Sequence, residues 1–139
     1  MIKNILISIL TIFIISVLIS LILTELGKYE YHVKTFSGVT FLSLFTFYIA
    51  LTLIIQFITG FWLIYYFSNY LLIKKINKFI VAFLAGLATF LISIIIAYFK
   101  IKTYYYDPDN NLYQIWVFFL AGFLYPYLSS CLKLFLQKK

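Results

Sequence analysis

Four long apolar runs, separated by charged and turn-forming segments, dominate this chain. They cover residues 5–24, 39–67, 79–99 and 115–135, and Lys133, near the end of the last, is the one charge inside them. A helix needs about 20 mostly apolar residues to cross the roughly 30 Å hydrocarbon core of a bilayer. Each run meets that requirement, so the pattern predicts an all-α integral membrane bundle of four transmembrane helices in a single domain.

The second run is the ambiguous one, because no charge occurs between Val39 and Ile73. One reading is a long tilted helix whose end, around Tyr65, Tyr66 and Tyr70, lies at the membrane interface. The other is a tight hairpin at Thr59-Gly60, which gives five spans. A hairpin leaves backbone groups unpaired in lipid, and neither Pro nor a charge marks the turn. One continuous helix over 39–67 is therefore expected.

Composition agrees with the pattern. The chain is 65% hydrophobic and only 11% charged, whereas soluble domains are about 45–50% apolar and 25% charged. Charge placement orients the helices. Lys3, Lys74, Lys75, Lys78, Lys133, Lys138 and Lys139 fall on one side of a four-helix chain with no acid among them. On the other side Lys28, Lys34, Lys100 and Lys102 are offset by Glu25, Glu30, Asp107 and Asp109. The formal +7 thus belongs to one face. The positive-inside rule makes that face cytoplasmic, with both termini inside. Lys74, Lys75, Lys78, Lys133, Lys138 and Lys139 are also candidates for contact with anionic lipid headgroups or a cytosolic partner. No small-x-small cleavage site follows Leu23, so the first run is expected to remain as helix one instead of leaving as a signal peptide. No lipid anchor is expected either.

Eleven Lys without Arg, and heavy use of Ile, Phe, Tyr and Asn, match AT-rich codons and suggest a low-GC bacterial gene. The expected location is the inner membrane. Tyr and Phe then carry less functional weight, since codon bias alone enriches them.

Small residues at four-residue spacing mark helix contacts in lipid. Ala85, Thr89, Ser93 and Ala97 form the clearest stripe, which predicts that the third helix is the most enclosed. The stripe can face the rest of its own chain or a second copy. Near mid-membrane each predicted helix carries one polar group: Ser16, Gln56, Thr89 and Tyr125. These either bond one another between helices or line a small hydrated lumen. No ionisable group lies deep in the runs, which argues against proton coupling.

Outside the runs, Glu30 and the lone His32 offer an acid–base or metal pair with nothing to complete it. Asp107, Asp109 and Asn111 share the spacing that opens a calcium loop. The required glycine and terminal glutamate are missing, and Asp-Pro-Asp-Asn is ordinary turn chemistry. Tyr104, Tyr105 and Tyr106 fit an aromatic belt or an outer contact for a partner. Cys131 alone supports no disulfide or metal motif. No cofactor, metal or catalytic residue is expected, and the chain lacks a soluble basic surface for nucleic acid.

In size and layout the chain is similar to GtrA-like lipid-carrier proteins and to four-helix immunity proteins against pore-forming bacteriocins. Phe67-x-Asn69 followed by Lys74-Lys75 looks like the Phe–Asn–basic ending of a GtrA-like second helix. The last helix should repeat that ending, yet residues 127–135 contain no Asn. Small multidrug transporters would need a carboxylate inside the first helix, and there is none.

The expectation is a non-catalytic membrane protein acting through contacts with lipids and with other membrane proteins or further copies of itself. Such a protein would serve as an accessory subunit, a defence-system sensor or an immunity-type protein. The alternative is a homo-oligomeric pore or a small lipid-carrier-type transporter.

Overall fold

A computed structural model of the chain describes residues 2–30, 37–103 and 112–137. Five helices account for nearly all of them: α1 Ile2–Glu30, α2 Gly38–Ile58, α3 Phe61–Ile73, α4 Lys78–Thr103 and α5 Leu112–Gln137. Helices α1, α2, α4 and α5 each contain a stretch long and apolar enough to cross a membrane. Helix α3 has 13 residues, about 20 Å of helix, too short to cross alone.

The single helix expected over 39–67 is therefore corrected to two. The chain breaks at Thr59-Gly60, where Gly60 takes the left-handed conformation with φ +79°. A glycine enters that region without the steric penalty a Cβ carries. The break also closes its own hydrogen bonds. The Thr59 amide and hydroxyl both donate to the Ile55 carbonyl, at 2.9 and 2.5 Å, and the Leu63 amide donates to Gly60 at 2.9 Å. These bonds answer part of the objection that a turn here leaves backbone unpaired.

The chain does not reverse at this point. Gln56 bonds Ser16 of α1, while Asn69 bonds Tyr125, which itself bonds Ser8 of α1. Passing from Ser16 to Ser8 leads toward the start of α1, so α2 and α3 descend α1 in the same sense. The break shifts the path sideways: α2 lies along α1, and α3 packs on α4 and α5.

Helix α1 is the most enclosed, with 39% of its most apolar 18 residues buried, against 33% for α4 and α5 and 11% for α2. The expectation that the third predicted helix, α4, holds that place is corrected. The physical reason lies in the buried face of α1, which carries Thr11, Ser16, Ser20 and Thr24 among isoleucines. Each of these hydroxyls donates to the carbonyl one turn back, at 2.5–2.9 Å. Small side chains folded onto their own backbone let neighbouring helices approach closely. Ile5, Leu6, Ile9 and Phe13 point outward instead. The interior of the bundle is thus more polar than its surface.

The α4–α5 pair is the tightest contact. A Cβ on Gly122 would run into the Ala85 carbonyl, and one on Gly86 would lie 2.9 Å from the Phe119 ring. Thr89 stitches the pair together by donating to the Phe118 carbonyl at 2.8 Å.

Candidate functional site

The buried polar side chains of α1, α2, α3 and α5 form a connected chain through the bundle. Ser20 and Thr52 hydroxyls are 3.5 Å apart at its upper end. One turn further on, the Gln56 amide nitrogen donates to the Ser16 hydroxyl at 2.6 Å, and its carbonyl oxygen accepts from the Tyr65 hydroxyl at 2.7 Å. Gln56 thereby joins α1 to α3 across the break, using both ends of its amide. Tyr65 then stacks on Tyr125 of α5, with ring centroids 4.1 Å apart. The Tyr125 hydroxyl donates to Ser8 at 3.1 Å and accepts from the Asn69 amide nitrogen at 2.9 Å.

The chain ends at an unmet group. Asn69 Oδ1 is buried and has no hydrogen-bond partner among the described residues. Leaving a buried acceptor unsatisfied costs about 1–3 kcal/mol, so such groups call for a bonding partner. Asn69 lines a cleft of about 430 Å³ between α1, α3 and α5. Its lining is mostly apolar and includes Ile9, Ile12 and Trp62, of which Ile9 and Trp62 are half exposed. Ser8, Asn69 and Tyr125 form a polar belt, and Asn4, Tyr70 and Lys133 lie toward the helix ends.

Those ends carry the described lysines that the sequence assigns to one face. Lys3 Nζ donates to the Leu136 carbonyl at 3.0 Å, which joins the start of α1 to the end of α5. Such a contact satisfies an orphan carbonyl and sets a cation at the negative pole of the helix. The α3–α4 turn holds Lys74, whose Nζ sits 4.7 Å over the Tyr70 ring, then Lys75 and Lys78. Lys78 Nζ lies 5.9 Å from the Tyr127 ring.

Of the mid-chain polar candidates, the structure links Ser16, Gln56 and Tyr125 and leaves Thr89 apart on the α4–α5 seam. Ala85 and Ser93 are buried beside Thr89, and the Ser93 hydroxyl returns to the Thr89 carbonyl. Lys138, Lys139, Tyr104, Tyr105, Tyr106, His32, Asp107 and Asp109 lie outside the described residues, as does the side chain of Ala97.

Two residues of the polar chain, Tyr65 and Asn69, were not expected on sequence grounds to bond inside the bundle. Tyr65, expected at the membrane interface with Tyr66 and Tyr70, is corrected to the core. It is 2% exposed, against 66% for Tyr66 and 46% for Tyr70. The available signal was the spacing of Phe61, Tyr65 and Ser68, which repeats at helical period on the buried face of α3. Known protein families, curated proteins and solved structures provide no match to this chain.

Proposed function

We propose that this chain is a non-catalytic, multi-pass protein of a bacterial inner membrane that works by holding another membrane protein through helix–helix contact. The roles that fit are an accessory subunit, a sensor in a defence system or an immunity-type protein. The basic end, with Lys3, Lys74, Lys75, Lys78 and Lys133, would face the cytoplasm, as the positive-inside rule requires. An outer surface of exposed Phe, Leu, Ile and Trp side chains supports a lipid environment.

One observation carries the reading. Of the α2 side chains only Thr52 and Gln56, both polar, are fully buried, with Tyr48 and Leu53 packing half-buried against the core. Its opposite face turns Ser43, Thr46 and Ala50 outward. Lipid tails gain nothing from a groove of small residues, whereas a second helix packs closely into one. On α4, Ala85 and Thr89 already pack on α5, so the exposed α2 face is where the partner contact is assigned.

The test is native mass spectrometry of the tagged chain, gently extracted from its host membrane, alongside the Thr46→Leu/Ala50→Leu variant. Both positions are exposed, so the variant should keep the unfolding temperature of the parent. The expected result is a complex with a different membrane protein that the double substitution removes. A lone chain, a symmetric assembly of this chain only, or a complex indifferent to the substitutions would overturn the reading.

A further inference from the structure

We infer that the cleft between α1, α3 and α5 binds one single-chain anionic amphiphile, a long-chain fatty acid held as its carboxylate. The assignment stands independently of any protein partner on α2. It rests on where the cleft keeps its cation and on what the polar groups further in have already bonded.

Helix direction sets the levels of the cleft. Lys3 reaches the Leu136 carbonyl, so the start of α1 and the end of α5 lie together. Helix α3 runs toward the same end, where the α3–α4 turn carries its lysines. Asn4 and Lys133 therefore stand at the mouth, while Ile12, Trp62 and Tyr125 stand about two turns or more further in.

Lys133 is half-buried at that mouth and is bonded to no acceptor among the described residues. The neighbouring lysines are committed elsewhere: Lys3 to Leu136, and Lys74 and Lys78 to the rings of Tyr70 and Tyr127. No acid of the chain competes, because Glu25 and Glu30 fall at the other end of α1 and Asp107 and Asp109 precede the start of α5. The Lys133 stem covers apolar wall while its ammonium stays at the mouth. The Asn4 side chain shares that level. An ammonium and an amide N–H both donate, and a carboxylate accepts from both.

Beyond the mouth nothing polar is on offer. Asn69 donates to Tyr125 and Tyr125 to Ser8, so the belt closes on itself. The ester groups of a phospholipid would lie at this level and would have to break into those bonds. A methylene chain asks for none of them and passes on to Ile9, Ile12 and Trp62. Ile9 and Trp62 are half exposed, so the apolar wall opens sideways, the route by which a chain enters from the bilayer. The cleft volume, about 430 Å³, lies within the usual range of small-molecule pockets, roughly 300–1,000 Å³.

Trp62 makes the site readable by fluorescence. Trp116, the other tryptophan of the chain, stands about 25 Å from Lys133 along α5, and Trp116→Phe leaves Trp62 as the sole reporter. The experiment titrates this full-length variant, in phosphatidylcholine nanodiscs at mildly alkaline pH, with stearate brominated at mid-chain. The expected result is saturable quenching of Trp62 that unbrominated stearate reverses. The methyl ester of the same probe, which has no charge for Lys133, should quench only in proportion to its concentration in the bilayer. Lys133→Gln should weaken the saturable phase about fivefold, the weight of one lysine toward an anionic surface. Lys75→Gln removes an equal charge outside the cleft and should leave it unchanged. Quenching without saturation would overturn the assignment, and so would equal weakening by Lys75→Gln and Lys133→Gln, the mark of a diffuse basic surface. Brominated phosphatidylglycerol in the disc is the control for a two-chain occupant. If it gives the same Lys133-dependent quenching and stearate does not displace it, the cleft holds a phospholipid and the fatty-acid assignment fails.

Discussion

Tyr65 and Tyr125 lie face to face, their ring centroids 4.1 Å apart and their planes 8° from parallel. The pair is fully enclosed between α3 and α5, and each hydroxyl leaves it in a different direction. Tyr65 bonds Gln56 toward the middle of the bundle, whereas Tyr125 bonds Ser8 and Asn69 toward its basic end. The stack joins the two hydrogen-bonded groups.

Removing the hydroxyl and removing the ring should then have separable costs. Tyr65→Phe keeps the stack and strands the Gln56 carbonyl oxygen, at a cost of about 0.6–1.7 kcal/mol, the range for interhelical bonds in membrane bundles. Tyr65→Leu loses the stacking as well, worth a further 0.5–1.5 kcal/mol or about that. Reversible unfolding in mixed detergent micelles measures both. If the two variants unfold together, the ring contact contributes nothing and the joint is only the hydroxyl.

Two glycines on the α4–α5 seam should respond unequally to alanine. The added methyl at Gly122 meets backbone, the Ala85 carbonyl, which moves only if the helices part. At Gly86 it meets the edge of the Phe119 ring, a side chain that can turn. Gly122→Ala should therefore cost about 1–3 kcal/mol, in the range of overpacked cores, and Gly86→Ala clearly less. The same unfolding assay ranks them, and a larger loss at Gly86 would mean that the seam is not as close as the Ala85–Gly122 approach requires.

How much of this was legible in the sequence depends on the scale of the feature. Hydropathy located the long helices because a run of 20 apolar residues is a property of composition, insensitive to local geometry. Ser16 and Gln56 were visible because a polar side chain in an apolar run must find a partner. The break at Gly60 was visible only as a rival hairpin and was set aside, since it hangs on one φ angle and three short hydrogen bonds, with no charge or Pro to mark it. Missing the break also hid Tyr65 and Asn69. An unbroken helix carries the 61–73 face on at the register of α2, and only the turn at Gly60 rotates Phe61, Tyr65 and Ser68 inward.

The break itself can be tested by a double-mutant cycle. Around Gly60 the nearest atom to an added Cβ is 3.8 Å away, so Gly60→Ala has room and pays only for its left-handed backbone, about 1–2 kcal/mol. If the turn survives, adding Tyr65→Phe should cost as much in that background as in the parent. If α2 and α3 straighten into one helix, Gln56 no longer reaches Tyr65 and the second substitution becomes silent. Additivity is the expected outcome, because Ser16, Asn69 and Tyr125 hold both helices in place.

Lys75 offers the opposite experiment, a substitution that should stabilise. It ends α3 in a left-handed conformation, φ 59°, with its amide on the Leu72 carbonyl at 3.0 Å and the Ile76 amide on Leu71 at 3.3 Å. These are the two bonds of a Schellman cap, whose left-handed position ordinarily holds glycine. A side chain there costs about 1–2 kcal/mol, and glycine's extra freedom in the unfolded chain returns only about 0.5–1 of that. Lys75→Gly should therefore raise stability by up to about 1 kcal/mol. Lys74, one residue earlier at φ −72°, carries no such strain, so Lys74→Gly should lower stability by about 0.5–1 kcal/mol from backbone entropy, and by about 0.5–1 kcal/mol more from the lost contact with the Tyr70 ring. Both changes remove one exposed charge from the same turn, so opposite signs in their shifts of the unfolding midpoint are the expected outcome. Equal and negative effects at the two positions would show that residue 75 does not hold the left-handed conformation in the folded protein.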